Sequence, residues 1–317
     1  MNFSNPIRKH FVYKSALKKR RGRIANESLT VIDRMIETFG NKIPYLASYR
    51  SELVPLVHRT DRYLGKLIDL IPGPVVFDPD RWDRDPVIHS IFESGKRTRE
   101  LLSGSKALTQ FFKNSAANVG FALFTTEKQE KSVFVSEKEG EIFRRDVLRK
   151  AIFFEKHQIA APSDNLAETQ KQFRYQLFSD LFAMAAETIS ALKQSRAQLE
   201  VQRDEAVAKM ALYADGSDTR KTFDALHQEV EGKIKSIDKS LKSPKDYVTY
   251  VQNLLQKPER QLSARPVSFK LSKMGILLDN ASAEAANEFS LAEFEIGNGK
   301  KRMATWIRVD RSFLISK

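Results

Sequence analysis

The chain has 317 residues, 41% hydrophobic and 29% charged, with a net charge of +13 and no cysteine; this is the make-up of a folded chain long enough for more than one core. The missing thiols exclude disulfides, thiolate metal sites and cysteine nucleophiles together. No apolar run reaches the roughly 20 residues of a membrane-spanning helix and the start lacks the apolar stretch of a secretory signal, so the expectation is a cytoplasmic protein.

The charge is uneven. Arg8, Lys9, Lys14, Lys18, Lys19, Arg20, Arg21 and Arg23 all precede the first acid, Glu27, and removing those eight from +13 leaves the remainder at only +5. Residues 1–25 therefore read as a basic arm. Its Lys18, Lys19, Arg20, Arg21 and Arg23 are candidate anion-binding residues for nucleic acid or an anionic lipid surface. Phe3, Ile7 and Phe11 recur every four residues, the spacing of a short amphipathic helix formed on a surface.

Residues 26–117 read as a bundle of short helices. Leu29, Ile32, Met35, Ile36 and Phe39 share one helical face between an Asn26 cap and Gly40. Pro44 and Pro55 punctuate the next pieces, and Pro72-Gly73-Pro74 stops them. Asp85-Pro86 places a cap before a proline at the first helical position, which starts another helix through Val87, Ile88 and Ile91.

The period changes over 118–161, read as a small antiparallel meander. Its strands are Gly120 to Phe124, Ser132 to Val135 and Ala151 to Ile159, with the polar Glu127 to Lys131 as a connection and a turn at Gly140.

Residues 163–257 carry the strongest pattern, a long helical hairpin of coiled-coil character. Phe182, Ala185, Ile189, Leu192, Leu199, Ala206 and Met210 recur at three-and-four spacing. After the break at Ala214-Asp215-Gly216-Ser217, the pattern resumes with Phe223, Leu226, Val230, Ile234 and Ile237. The short break predicts antiparallel neighbours. Arg196 and Arg203 fall on the stripe and interrupt a strict seam. Ser243-Pro244 starts a further helix before Pro258.

Residues 265–317 return to β character, with Val267 to Leu271, Gly275 to Asp279, Phe289 to Ile296 and Met303 to Val309 as candidate strands. Asn298-Gly299 is a favoured two-residue hairpin turn. Because β segments bracket the hairpin, the predicted class is α+β, with the hairpin inserted between strands that share one sheet.

No motif names a reaction. His10, His58, His89, His157 and His227 are scattered, and neither GxxxxGK[ST] nor GxGxxG occurs. Asp78, Asp80, Asp83 and Asp85 cluster around Trp82, but without the glycine and final glutamate of a calcium loop. No cofactor, metal site or catalytic residue is expected.

Lys270-Leu271-Ser272-Lys273-Met274-Gly275 resembles the second signature of PilZ domains, small β-barrels that bind cyclic di-GMP, in which an Asp or Asn precedes x-Ser-x-x-Gly. Lys270 stands at the position of that acid or amide. The companion Arg-x-x-x-Arg matches Arg145 and Arg149, upstream across the hairpin. The resemblance implies a ligand-sensing barrel around Ser272 and Gly275, split by a helical insertion.

The leading expectation is a non-enzymatic interaction protein. Its hairpin is expected to mediate self-association or partner docking through Phe182, Ile189, Leu192, Leu199, Phe223, Leu226, Val230 and Ile237. Nucleic-acid or anionic-surface binding through the arm is the alternative.

Overall fold

The computed structural model describes residues 26–139, 142–279, 285–297 and 299–314. The fold is mixed α+β, built on one largely antiparallel sheet. It divides into two compact units: Met1–Arg62 with Leu177–Pro258, and Tyr63–Gln176 with Glu259–Lys317. The helices of residues 26–117 are shared out between the two units.

The first unit is helical. It contains α1 (26–39), the first part of α2 (Arg50–Asp69), the greater part of α6 (Leu166–Met210), then α7 (Asp218–Ser240) and α8 (Pro244–Gln256). Ile32, Met35 and Phe39 of α1, Leu53 and Val57 of α2, and Val248, Val251 and Leu255 of α8 are all buried. The Phe39 ring lies 6.2 Å from that of Phe182, and the Thr60 hydroxyl donates to the Leu255 carbonyl over 2.8 Å. Pro55 does not end a helical piece as expected; it stands inside α2. It sits near the N-terminus, and Ser51, whose carbonyl loses the donor, is exposed to water, so the missing N–H costs little there.

The second unit holds the sheet. Its strands are β1 (Val75–Val76), β2 (Val119–Glu139), β3 (Ile142–Ser163), β4 (Leu262–Leu271), β5 (Asn287–Ile296) and β6 (Lys300–Asp310). The order is β3-β2-β6-β5-β4, with β1 parallel to β6. The expected three-stranded meander is two long strands instead. Glu127 to Lys131 stays in β2 because Lys156 and Lys150 of β3 meet Glu127 and Glu130 across the pair, at 2.7 and 3.7 Å. Register shifts mark three bulges, opposite which β3 carries Asp146, Lys156 and Ala161 at φ 59, 52 and 50. Such bulges let a long strand bend without ending, and the last accommodates Pro162.

The sheet closes on itself. Beyond β4 the chain turns back, and Ile152 N donates to Gly275 O and Leu277 N to Lys150 O, each over 2.8 Å. On its other side the same segment accepts from Ser272 N at Ile276 O and donates from Leu278 N to Lys270 O. Residues 275–278 thus join β4 to β3. The candidate strand from Gly275 to Asp279 is no full strand, since it makes only isolated bridges.

One face of the sheet buries Phe124, Phe154, Phe269, Leu271, Phe289, Leu291, Met303, Ile307 and Val309. Ile88, Leu102, Leu108 and Phe112 join this cluster from three short helices, α3 (Pro86–Ile91), α4 (Gly95–Gly104) and α5 (Lys106–Asn114). The other face buries Trp306 and Phe294, whose rings lie 6.0 and 5.7 Å from Phe173 of α6.

Candidate interaction surfaces

The hairpin is antiparallel. Arg196 of α6 meets Asp238 of α7 at 2.6 Å, Arg203 meets Glu231 at 3.6 Å, and Tyr213 stacks on Phe223 with ring centroids 5.9 Å apart. As the α6 number rises the α7 number falls, which is what a tight turn through Gly216, at φ 83, requires. The arginines that interrupt the stripe therefore belong to the pairing. Asp238 and Glu200 hold Arg196 above the usual guanidinium range, the Asp238 hydrogen bond contributing most.

The eight candidate residues do not share one fate. Phe182, Ile189 and Val230 are buried within the helical unit, whereas Leu192, Leu199, Phe223 and Ile237 are half-buried and Leu226 is 41% exposed. At 100° per residue the ion pairs Arg196–Asp238 and Arg203–Glu231 fall on one flank of the seam. Leu226 and Ile237 fall on the other, where Lys209 lies over the Phe223 ring at 5.6 Å; Tyr213, beyond the end of α6, stacks on that same ring. One flank carries the two ion pairs between the helices; on the opposite flank Leu226 and Ile237 lie beside Lys209 and the Glu229–Lys233 pair. Leu212, at the turn, is 78% exposed. The candidate anion-binding residues Lys18, Lys19, Arg20, Arg21 and Arg23 lie outside the described residues.

The second surface surrounds the turn that closes the sheet. Ser272 is buried, and its hydroxyl oxygen accepts from Met274 N and Ile276 N, both at 3.2 Å. Gly275 has φ 78, and a Cβ there would stand 3.0 Å from the Ile152 carbonyl oxygen. The Ser-x-x-Gly spacing is thus what this tight reversal demands. Arg149, remote in sequence, is brought to the same place: its Nη1 lies 3.9 Å from Asp279 just beyond the turn. Arg145, on the same strand, is exposed. Met274 and Leu277 present apolar surface beside them, 81% and 39% exposed.

The acidic cluster is used structurally. Asp85 accepts from Val87 N and Ile88 N at the start of α3, Asp78 accepts from Asp80 N, and Asp80 pairs with Arg99 at 2.6 Å. Among the described residues no group of three or more His, Asp or Glu is placed to hold a metal. His157 packs against the rings of Phe92 and Phe124, with centroids at 4.8 and 5.6 Å. Burial, and then Arg302, push its pKa below the usual value. The Thr126 hydroxyl donates to the Glu155 carbonyl, so its oxygen accepts from His157 Nδ1, 3.0 Å away, which places a proton on Nδ1.

Reading the sequence missed the distal part of the β2–β3 pair, where Phe134 and Leu148 are 71% and 60% exposed. The alternation of Ser132-Val133-Phe134-Val135 carried the signal for a strand, but not for which face water reaches. Compared with family models, curated proteins and solved structures, the chain matches none.

Proposed function

We propose that the chain is an interaction protein whose helical hairpin docks an amphipathic helix of a protein partner. The observation that carries this reading is the asymmetry of the α6–α7 seam. Two ion pairs bridge the helices on one flank, while none of these bridges covers Leu226 and Ile237 on the other, which leave apolar surface there within reach of a partner. A two-helix rod buries only the inner part of its stripe, and a third helix on the open flank completes the burial. The earlier stripe thereby narrows: Phe182, Ile189 and Val230 hold the unit together, and the open flank does the docking. Leu226→Asp combined with Leu212→Asp leaves the fold intact, because both positions face water. The double variant is expected to lose the partner that the full chain captures from its native cells. Unchanged capture would refute the docking role.

A second reading is favoured by the closed sheet. A barrel interrupted by α6–α8, with Arg149 carried to the Ser272–Gly275 turn, is the arrangement that the PilZ resemblance implies. Under this reading cyclic di-GMP raises the melting temperature of the sheet unit, as any ligand specific for the folded state must, and Arg149→Ala abolishes the rise. No shift at saturating ligand disposes of it.

A further inference from the structure

Up to Thr126, β2 lies between β3 and β6, and the last β2–β6 pair is Thr126 with Met303. From Glu127 to Glu139, β2 pairs with β3 alone. Among the described residues no strand meets its other edge, so alternate backbone N–H and C=O groups there face outward. The point of departure is held firmly. Arg302 donates to Thr125 Oγ1, to the Thr125 and Lys156 carbonyls and to Glu127, at 3.1, 3.4, 2.6 and 3.4 Å. A hydrogen bond from Lys156 holds the Glu127 carboxyl below its usual pKa range.

Beyond that point Phe134 and Leu148 stand directly opposite each other on the two strands, 71% and 60% exposed. An open edge bearing an exposed phenylalanine is a feature that proteins cover or blunt. The edge reads Glu130-Lys131-Ser132-Val133-Phe134-Val135-Ser136-Glu137-Lys138, a sequence symmetric about Phe134 in polarity and inverted about it in charge. Two such edges laid antiparallel with Phe134 on the twofold axis place Val133 opposite Val135, Ser132 opposite Ser136, Lys131 opposite Glu137 and Glu130 opposite Lys138. Each apolar position meets an apolar one, and each charge meets its opposite, twice over by symmetry. Sliding the register by two residues sets Val133 against Glu137 and Ser132 against Lys138. Lysines and glutamates that merely blunt an edge need no such inversion.

We propose that the chain forms a twofold dimer by antiparallel pairing of residues 130–138 of β2 with the same residues of a second copy. The result is a continuous four-stranded ribbon in which Leu148, Phe134 and their two counterparts form one apolar row. The charges select the register, and the row with the backbone bonds supplies the affinity. The proposal is independent of the hairpin reading, since it uses a different unit.

Sedimentation of the full chain tests it. The native chain is expected to be a dimer, and Lys131→Glu or Glu137→Lys alone, each setting like charges opposite each other at two symmetric places, weakens it by about tenfold or more. The double variant, with the charges exchanged, restores it. Because the chain has no cysteine, Phe134→Cys carries its only thiol at the one position that faces itself, and mild oxidation is expected to give a covalent dimer. Leu226→Cys on the hairpin is expected to remain a non-covalent dimer, with no disulfide link, in the same treatment. A monomeric native chain overturns the proposal, as does a dimer indifferent to both single charge changes. Linkage through Leu226→Cys but not Phe134→Cys overturns it too, and assigns self-association to the hairpin, whereas helix docking is judged separately by partner capture.

Discussion

Replacing Phe182 with alanine is expected to destabilise the helical unit by about 3–5 kcal/mol, whereas Leu226→Ala, on the same predicted stripe, should change it by no more than about 0.5 kcal/mol. Phe182 has no exposed surface and packs near Phe39, so truncation leaves a cavity between α1 and α6 that the surrounding side chains cannot fill without moving. Leu226 is 41% exposed, so losing its side chain removes little buried area. The two units have separate reporters: both tryptophans, Trp82 and Trp306, lie in the sheet unit, while α1, α7 and α8 belong to the helical one. Denaturant unfolding followed by far-ultraviolet circular dichroism should therefore move its midpoint for Phe182→Ala. Similar small effects for both variants would mean that the stripe is not divided between core and surface as described.

Gly275→Val carries the second large effect, a loss of about 2–4 kcal/mol from the sheet unit. A left-handed backbone costs an ordinary residue about 1–2 kcal/mol, and more when the side chain is β-branched. The added Cβ also presses on the Ile152 carbonyl at 3.0 Å. Relieving that contact weakens the bonds from Ile152 to Gly275 and from Leu277 to Lys150 that close the sheet, each worth about 1 kcal/mol. Gly275→Asn should cost distinctly less, because asparagine visits this conformation readily. Tryptophan fluorescence during urea unfolding reads the difference. Equal losses for valine and asparagine would show that the turn does not depend on its left-handed residue.

The helices were legible where the apolar period ran long. The stripe from Phe182 to Ile237 and the cap at Asp85-Pro86 mark elements that the fold contains, since a period of 3.6 residues leaves a one-sided surface whatever covers it. Two local signals misled. Pro55 resembles a helix end, yet near an N-terminus it removes a bond that water replaces. The charged run Glu127 to Lys131 resembles a loop, yet its carboxylates meet lysines across the strand pair, and only the register reveals those partners.

The candidate sites were less legible than the elements. Burial separates Phe182 from Leu226 although both occupy the same stripe, because Phe182 packs beside Phe39 of α1 whereas Leu226 keeps 41% of its surface in water. Arg149 and the Ser272–Gly275 turn are distant in sequence, with the whole hairpin between them, and become neighbours only when residues 275–278 bridge β3 and β4. What the chain determined by itself was local: the α+β class, the places where helices start and turn, the charge-inverted edge about Phe134. Which apolar residues stay dry, which strand edge stays open and where Arg149 comes to lie are decided by long-range pairing. These are properties of surfaces, and a surface exists only once distant segments have excluded water from each other.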